Sequence, residues 1–458
     1  MKSLGDLVIT ISSFLCVFLV LALITIFHKL WWTPNRIQKL MASQGIKGPS
    51  YRFIHGNTKE ISKMKKEAMS TSLTNFSHDI FSRVQPHILL WNKSCGKNFV
   101  QWYGCQVQLV ISEPELIKEI LNKKDTYPKR KLLPLMKKIF GEGVATTTNP
   151  QKWEKLRKLA DHAFHGDSLK SMIPTTIASA ETMLKRWKNH DGKEIDVYED
   201  FRLLTSEVLC SLLLKTSFKI RFPGISKFFK TSDEIESEKL EKGIRDSIVD
   251  IVKKREKEAM TGEENKFGND FLGLLLKAHH GADDNQRISV DEVIDECKIF
   301  YFAGHETTNA LLAWTIFLLA IHPDWQEEAR NEVLQLFGKQ TPNPDGLAKL
   351  KTMGMIINET LRLYSPVISY DRRVDREIRL GNLIIPAGFE LYISTMSLNS
   401  GDKMCIFSNQ SDSLKGQDCS VNDSQNYSFT LSPGYVHSPY ENLIVRPQHG
   451  VQVMLHSL

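Results

Sequence analysis

The sequence predicts a mainly α-helical chain with a small β region near its C-terminus. Three observations carry this prediction. Apolar residues recur at helical spacing through most of the chain between 112 and 364. The stretch 289–321 is apolar around most of its circumference and reads as one long buried helix. After residue 364 the pattern changes to period-two runs broken by Pro and Gly turns.

The elements follow in order. "LVITISSFLCVFLVLALITIF", 7–27, carries no charge and is long enough to cross a bilayer. It is too long for a signal peptide and no small-residue cleavage site follows. His28, Lys29, Arg36 and Lys39 flank its C-terminal side, which places the body in the cytosol. Trp31 and Trp32 fall where an interfacial aromatic belt sits. Residues 1–28 therefore form the anchor and 29–458 the body. "QGIKGPSYRFIHGN" reads as a Gly/Pro-punctuated hinge.

Helical spacing covers 112–124, with a capping signature at Ser112 and Glu115, and also 149–164 and 233–260. Ser289 and Glu292 form a capping box, and the helix they open ends at His322-Pro323. Helices over 323–337 and about 347–364 follow. "NLIIPAGFELYIST" and "ENLIVRPQHGVQVMLHS" read as strands around the polar stretch "MCIFSNQSDSLKGQDCSVNDSQ", 404–425.

Composition excludes several classes of function. A net charge of +6, with no basic tract carrying interleaved aromatics, argues against nucleic-acid binding. It suits docking to an acidic partner or an anionic membrane. Seven scattered cysteines with no CxxC pair argue for a reducing compartment.

At the centre of the long helix stands "AGHETT", Ala303 to Thr308. Gly304 costs helix stability, Glu306 puts a carboxylate in an apolar helix, and Thr307 and Thr308 can bond the carbonyl one turn back. Gly304 lets a flat ligand or dioxygen approach the backbone, and Glu306 beside Thr307 makes a proton relay. The alternative is a helix-crossing glycine beside a locally satisfied polar patch. Glu359 and Arg362 in "ETLR" sit three apart on an apolar helix, as a buried ion pair would. Trp153 and Arg157 are four apart, an aromatic and a cation suited to a planar anion, or else a core tryptophan beside a surface arginine. Arg372 follows in "SPVISYDRR" and could face the same pocket.

Taken in order, "WWTPNRIQKLMASQGIKGPSYRFIHGN", "AGHETTN", "HPDWQEEARNEV", "INETLRLYSPV" and "YSFTLSPGYVHSPY…VRPQHGVQVML" resemble the cytochromes P-450, the haem-thiolate monooxygenases. Within that family the chain is similar to the plant clan of steroid-hormone, gibberellin and terpenoid hydroxylases. The resemblance implies a cytochrome P-450 fold behind one transmembrane helix, in the endoplasmic reticulum membrane. It implies a haem iron cofactor, electrons from NADPH through a membrane-bound reductase, and a small hydrophobic plant metabolite as substrate. By that resemblance Ala303 and Gly304 line the oxygen groove, and Glu306 and Thr307 relay protons during oxygen activation. Trp153, Arg157 and Arg372 hold the haem propionates, and Glu359 and Arg362 form the buried structural pair.

The chain departs from the family pattern at two places. Near 398–426 it is short by roughly 50 residues, and the shortfall takes in the loop whose cysteine is the iron's axial ligand. Cys405 and Cys419 lack the Gly and Arg setting of that loop, so no metal ligand is assigned. The C-terminal haem-binding segment is disrupted. Near 209–218 a piece of helix and loop is absent by comparison. Both joins leave the flanks intact, as mis-splicing or a frame-shifted gene model would. The sequence thus supports two readings: a haem monooxygenase, and a non-catalytic haem-free remnant or aberrant splice product.

Overall fold

Ser289 begins the best-defined element. Its hydroxyl accepts from the Glu292 amide at 3.1 Å, and the Glu292 carboxylate accepts from the Ser289 amide at 2.8 Å. This reciprocal cap starts the helix Val290–Ile321 where the sequence places it. Lys152 adds an ion pair to Glu292 at 2.9 Å. Pro323 occupies the first turn of the next helix, Pro323–Phe337, and removes an amide that would have no partner there.

The computed structural model describes residues 4–73, 76–132, 134–214, 234–261, 267–268, 270–281, 287–338, 340–399 and 427–458. The chain divides into two compact units. The architecture is mainly helical with small sheets, as the sequence predicts.

The first unit takes in residues 1–71, 81–130 and 369–402. It opens with the helix Leu4–Phe27, which runs through a π-helical turn, His28–Trp32, into the helix Thr33–Ser43. This is one helix long and apolar enough to cross a membrane, and its apolar window is not buried against protein. Helical structure therefore continues past residue 28. The region read as a hinge is stitched down instead. The Val100 amide donates to the Lys47 carbonyl, and the buried Asn57 exchanges bonds with Trp102 through its backbone amide and its side-chain oxygen. A side chain at Gly48 would strike the Val100 carbonyl, so glycine lets the two segments touch.

The larger sheet of this unit has strands Phe99–Tyr103, Gln106–Ile111, Glu390–Ser394 and Ser369–Arg373 in that spatial order. The first two form a hairpin, the second and third run parallel with Gln108 opposite Glu390, and the last pair is antiparallel. Trp102, Leu109, Ile111, Phe389, Leu391 and Ile393 alternate into one core. The cap expected at Ser112 does not form. The helix begins at Pro114 behind Glu113, without a side-chain cap, because proline at its first position moves the start past the serine.

The second unit takes in residues 72–80, 131–368 and 403–458. Val290–Ile321 runs through it, buried along most of its length. Helices Pro150–Ala163, Val197–Leu214, Glu234–Thr261 and Phe271–His279 share an apolar core with its first half. Asn149 caps the first of these through bonds from the Gln151 and Lys152 amides. A hairpin, Pro439–Asn442 with Ile444–Pro447, meets the long helix, and the Trp314 indole donates to the Val445 carbonyl. Strands Glu194–Asp196, Gln452–Ser457 and Tyr427–Leu431 form an antiparallel sheet in that order.

Candidate active site

The polar patch in the long helix is where local rules are broken, so the site is built from there. The Thr307 hydroxyl donates to the Ala303 carbonyl at 2.6 Å, the back-bond that a threonine in mid-helix forms. Ala303 is exposed although most of the helix is buried. Gly304 faces the neighbouring helix. A Cβ there would come within 2.9 Å of Leu209, so the glycine serves a helix crossing.

His305 donates from Nε2 to the Arg202 carbonyl at 3.0 Å, and its ring stacks on Tyr301, which bonds Ser206. Nδ1 of His305 lies 3.4 Å from Glu306 Oε1. The other Glu306 oxygen lies 3.8 Å from Arg446 Nη1, and these two side chains are only 9% and 8% exposed. Burial pushes the Glu306 carboxyl up. The His305 hydrogen bond and charge, with the guanidinium groups of Arg446 and Arg202, outweigh burial and hold it below the ordinary value of 4.5. Arg446 is itself fixed by a bond to the Tyr440 hydroxyl at 2.8 Å and lies over that ring. Among the described residues, Nη2 of Arg446 and both amide atoms of the fully buried Asn309 find no hydrogen-bond partner. Glu306 and Thr307 are thus adjacent, with the acid held low by His305 and, less strongly, by a buried arginine.

The sequence does not single out His305, Arg202 or Arg446. The only signal available was the buried Glu306 itself, which demands a cation somewhere. Arg446 comes from a strand far along the chain, and spacing rules reach only neighbouring turns.

The remaining predicted residues fall elsewhere. Arg157 pairs with Asp161 one turn on at 2.9 Å, both 57% exposed, and Trp153 is half-buried on the same helix. Arg372 lies in the first unit, on the strand Ser369–Arg373. Its guanidinium donates to the Asp371 carbonyl at 3.0 Å, burial lowers its pKa, and it has no ion pair among the described residues. A half-buried cation of this kind fits an anionic group such as a propionate. Glu359 and Arg362 do pair, in bidentate fashion, at 2.7 and 2.5 Å. Their side chains are 50% and 45% exposed, however, so the expected burial is corrected. An i, i+3 pair closes within its own helix and needs no cover. Beside it opens a cavity of about 470 Å³ that also meets His78, Leu318, His322 and Trp325.

Of the described cysteines, Cys297 does not suit an iron thiolate. Cys16 lies in the apolar N-terminal helix, and Cys95 and Cys105 are partly exposed in the first unit. Cys210 and Cys297 are buried in the helical core of the second unit. Burial and then Glu296 push the Cys297 thiol up, away from the thiolate a metal needs. Cys405 and Cys419 lie outside the described residues.

The family model for "Cytochrome P450" matches residues 81–235 and 218–404. The chain is 47% identical over 505 residues to "Cytochrome P450 CYP749A22" of Panax ginseng, covering 97% of this chain and 96% of the relative. It is 31% identical over 512 residues to "Cytochrome P450 734A1" of Arabidopsis thaliana, covering 97% and 96%. It is 33% identical over 504 residues to "11-oxo-beta-amyrin 30-oxidase" of Glycyrrhiza uralensis, covering 94% of each. These alignments are longer than the 458 residues of the chain, so parts of each relative stand opposite gaps in it. With this match along most of its length, the chain belongs to the cytochrome P450 family of plants, whose members are haem-iron monooxygenases.

Proposed function

We propose that this chain is built on a membrane-anchored monooxygenase for a small hydrophobic plant metabolite, and that the form encoded here does not assemble the haem-thiolate centre. The observation that carries the second half is the donor set: among the described residues the cysteines lie in the anchor helix, in the first unit, or buried in the helical core, where Cys297 is pushed toward its neutral thiol. The family match ends at residue 404, and the alignments with relatives run longer than the chain. The first supports a loss near 398–426, and the break of the family match into two pieces meeting at 218–235 supports a second near 209–218, at joins produced by mis-splicing or a faulty gene model.

In the intact ancestor Ala303 and Gly304 form the oxygen groove, and Glu306 and Thr307 relay protons. Trp153 with Arg157, and Arg372 separately, bind propionates, and Glu359 and Arg362 brace their own helix from its half-exposed face. The apolar helix sets a single-pass anchor in the endoplasmic reticulum, with residues 29–458 on the cytosolic side, where they take electrons from an NADPH-dependent reductase. The second reading is a competent monooxygenase in which Cys405 or Cys419 ligates iron. Haem content separates the two. Protein expressed with a haem precursor is assayed as the pyridine haemochrome. The proposal expects well under one haem per chain, and one haem per chain overturns it. A transcript that reads through 398–426 as written in every clone overturns the mis-splicing part.

A further inference from the structure

Away from the long helix's polar patch, a second cluster of ligating side chains lies on the second unit. Glu256 belongs to the helix Glu234–Thr261, His279 ends the helix Phe271–His279, and His280 is its cap. One ligand atom from each of the three lies within 4.8 Å of the others. We infer that Glu256, His279 and His280 form a site for a divalent transition metal of the zinc class.

The reason is how each donor is held. His279 Nδ1 lies 2.7 Å from the Ile288 carbonyl, which can only accept, so Nδ1 carries the proton and Nε2 keeps its lone pair. A metal-bound histidine is oriented in this way, with its second nitrogen donating to a backbone carbonyl. The His279 carbonyl in turn accepts from Arg287 Nε at 3.0 Å, which fixes the backbone behind the ring. His280 stacks on Phe267 with an interplanar angle of 4°, and its Nε2 donates to Glu256 Oε1 at 2.9 Å. A metal entering here replaces that hydrogen bond with two metal–ligand bonds and releases the proton.

Two imidazole nitrogens and one carboxylate oxygen are borderline donors. They suit zinc, cobalt or nickel rather than calcium or magnesium. Three protein ligands at a partly exposed site leave a coordination position for water. The cluster joins two helices on either side of the connector 262–270, so an ion here would clamp them together.

The test uses the full chain in detergent, stripped with a chelator and titrated with zinc chloride against a chromogenic zinc chelator. One equivalent is expected to bind, and His279→Gln and Glu256→Gln each weaken it at least about tenfold. His162→Gln, at an exposed histidine on another helix, leaves it unchanged. Cobalt chloride added to the unaltered chain should give visible ligand-field bands that zinc abolishes. Binding of less than one equivalent, binding indifferent to both substitutions, or cobalt without such bands overturns the site. None of these readouts depends on haem.

Discussion

Two acid–arginine pairs in the second unit teach opposite lessons. Glu359 and Arg362 are neighbours in sequence, meet in bidentate geometry and remain about half exposed. Glu306 and Arg446 are remote in sequence, stand 3.8 Å apart and are almost fully buried. The tighter geometry therefore belongs to the pair that matters less for stability. An exposed pair is screened by water and costs side-chain entropy to hold. A buried carboxylate must keep its cation or lose its charge, however loose the contact.

The largest test of this contrast is Arg446→Leu. It removes the guanidinium from a buried carboxylate and should cost about 3 kcal/mol in urea unfolding, a figure held down because His305 remains. A loss below that of any exposed-pair variant would reverse the comparison. Ser289→Ala is expected to cost about 1 kcal/mol, because it breaks a reciprocal cap with both bonds in place. Glu359→Gln should cost less than about 1 kcal/mol, and added salt should shrink even that.

Acid sharpens the contrast. The Glu306 carboxyl sits lower in the folded chain than its ordinary 4.5, so the folded state favours its ionised form. The stability this brings is complete above the unfolded pKa and is lost as pH falls through the folded one. The unaltered chain should lose urea stability on acidification below about pH 4.5. Arg446→Leu raises the folded pKa, so its stability should fall less over the same window. Parallel losses in the two proteins would contradict the role given to Arg446.

These pairs also mark what can be read from sequence. Ser289 with Glu292, Asn149 and Pro323 define helix starts by contacts within a few residues, and each stands where the pattern puts it. Ser112 misleads because Pro114 competes for the same turn and wins. The supposed hinge at 44–57 is fixed by Val100 and Trp102, partners that local composition cannot reveal. The placement of Glu306 beside Thr307 follows from adjacency, but its arginine does not. Gly304 admits two uses by composition, and the position of Leu209 shows that a helix crossing is one of them. Whether an apolar helix face is covered depends on chain elsewhere, which is why the pairing of Glu359 with Arg362 was legible but its expected burial was not met.

As proposed above, this chain keeps the body of a monooxygenase but does not assemble the thiolate that makes iron reactive. The direct measurement is the carbon-monoxide difference spectrum of the purified, reduced protein. No long-wavelength Soret band of thiolate-ligated haem is expected, and no stoichiometric haem of any kind. A full thiolate band at one haem per chain would contradict the proposal.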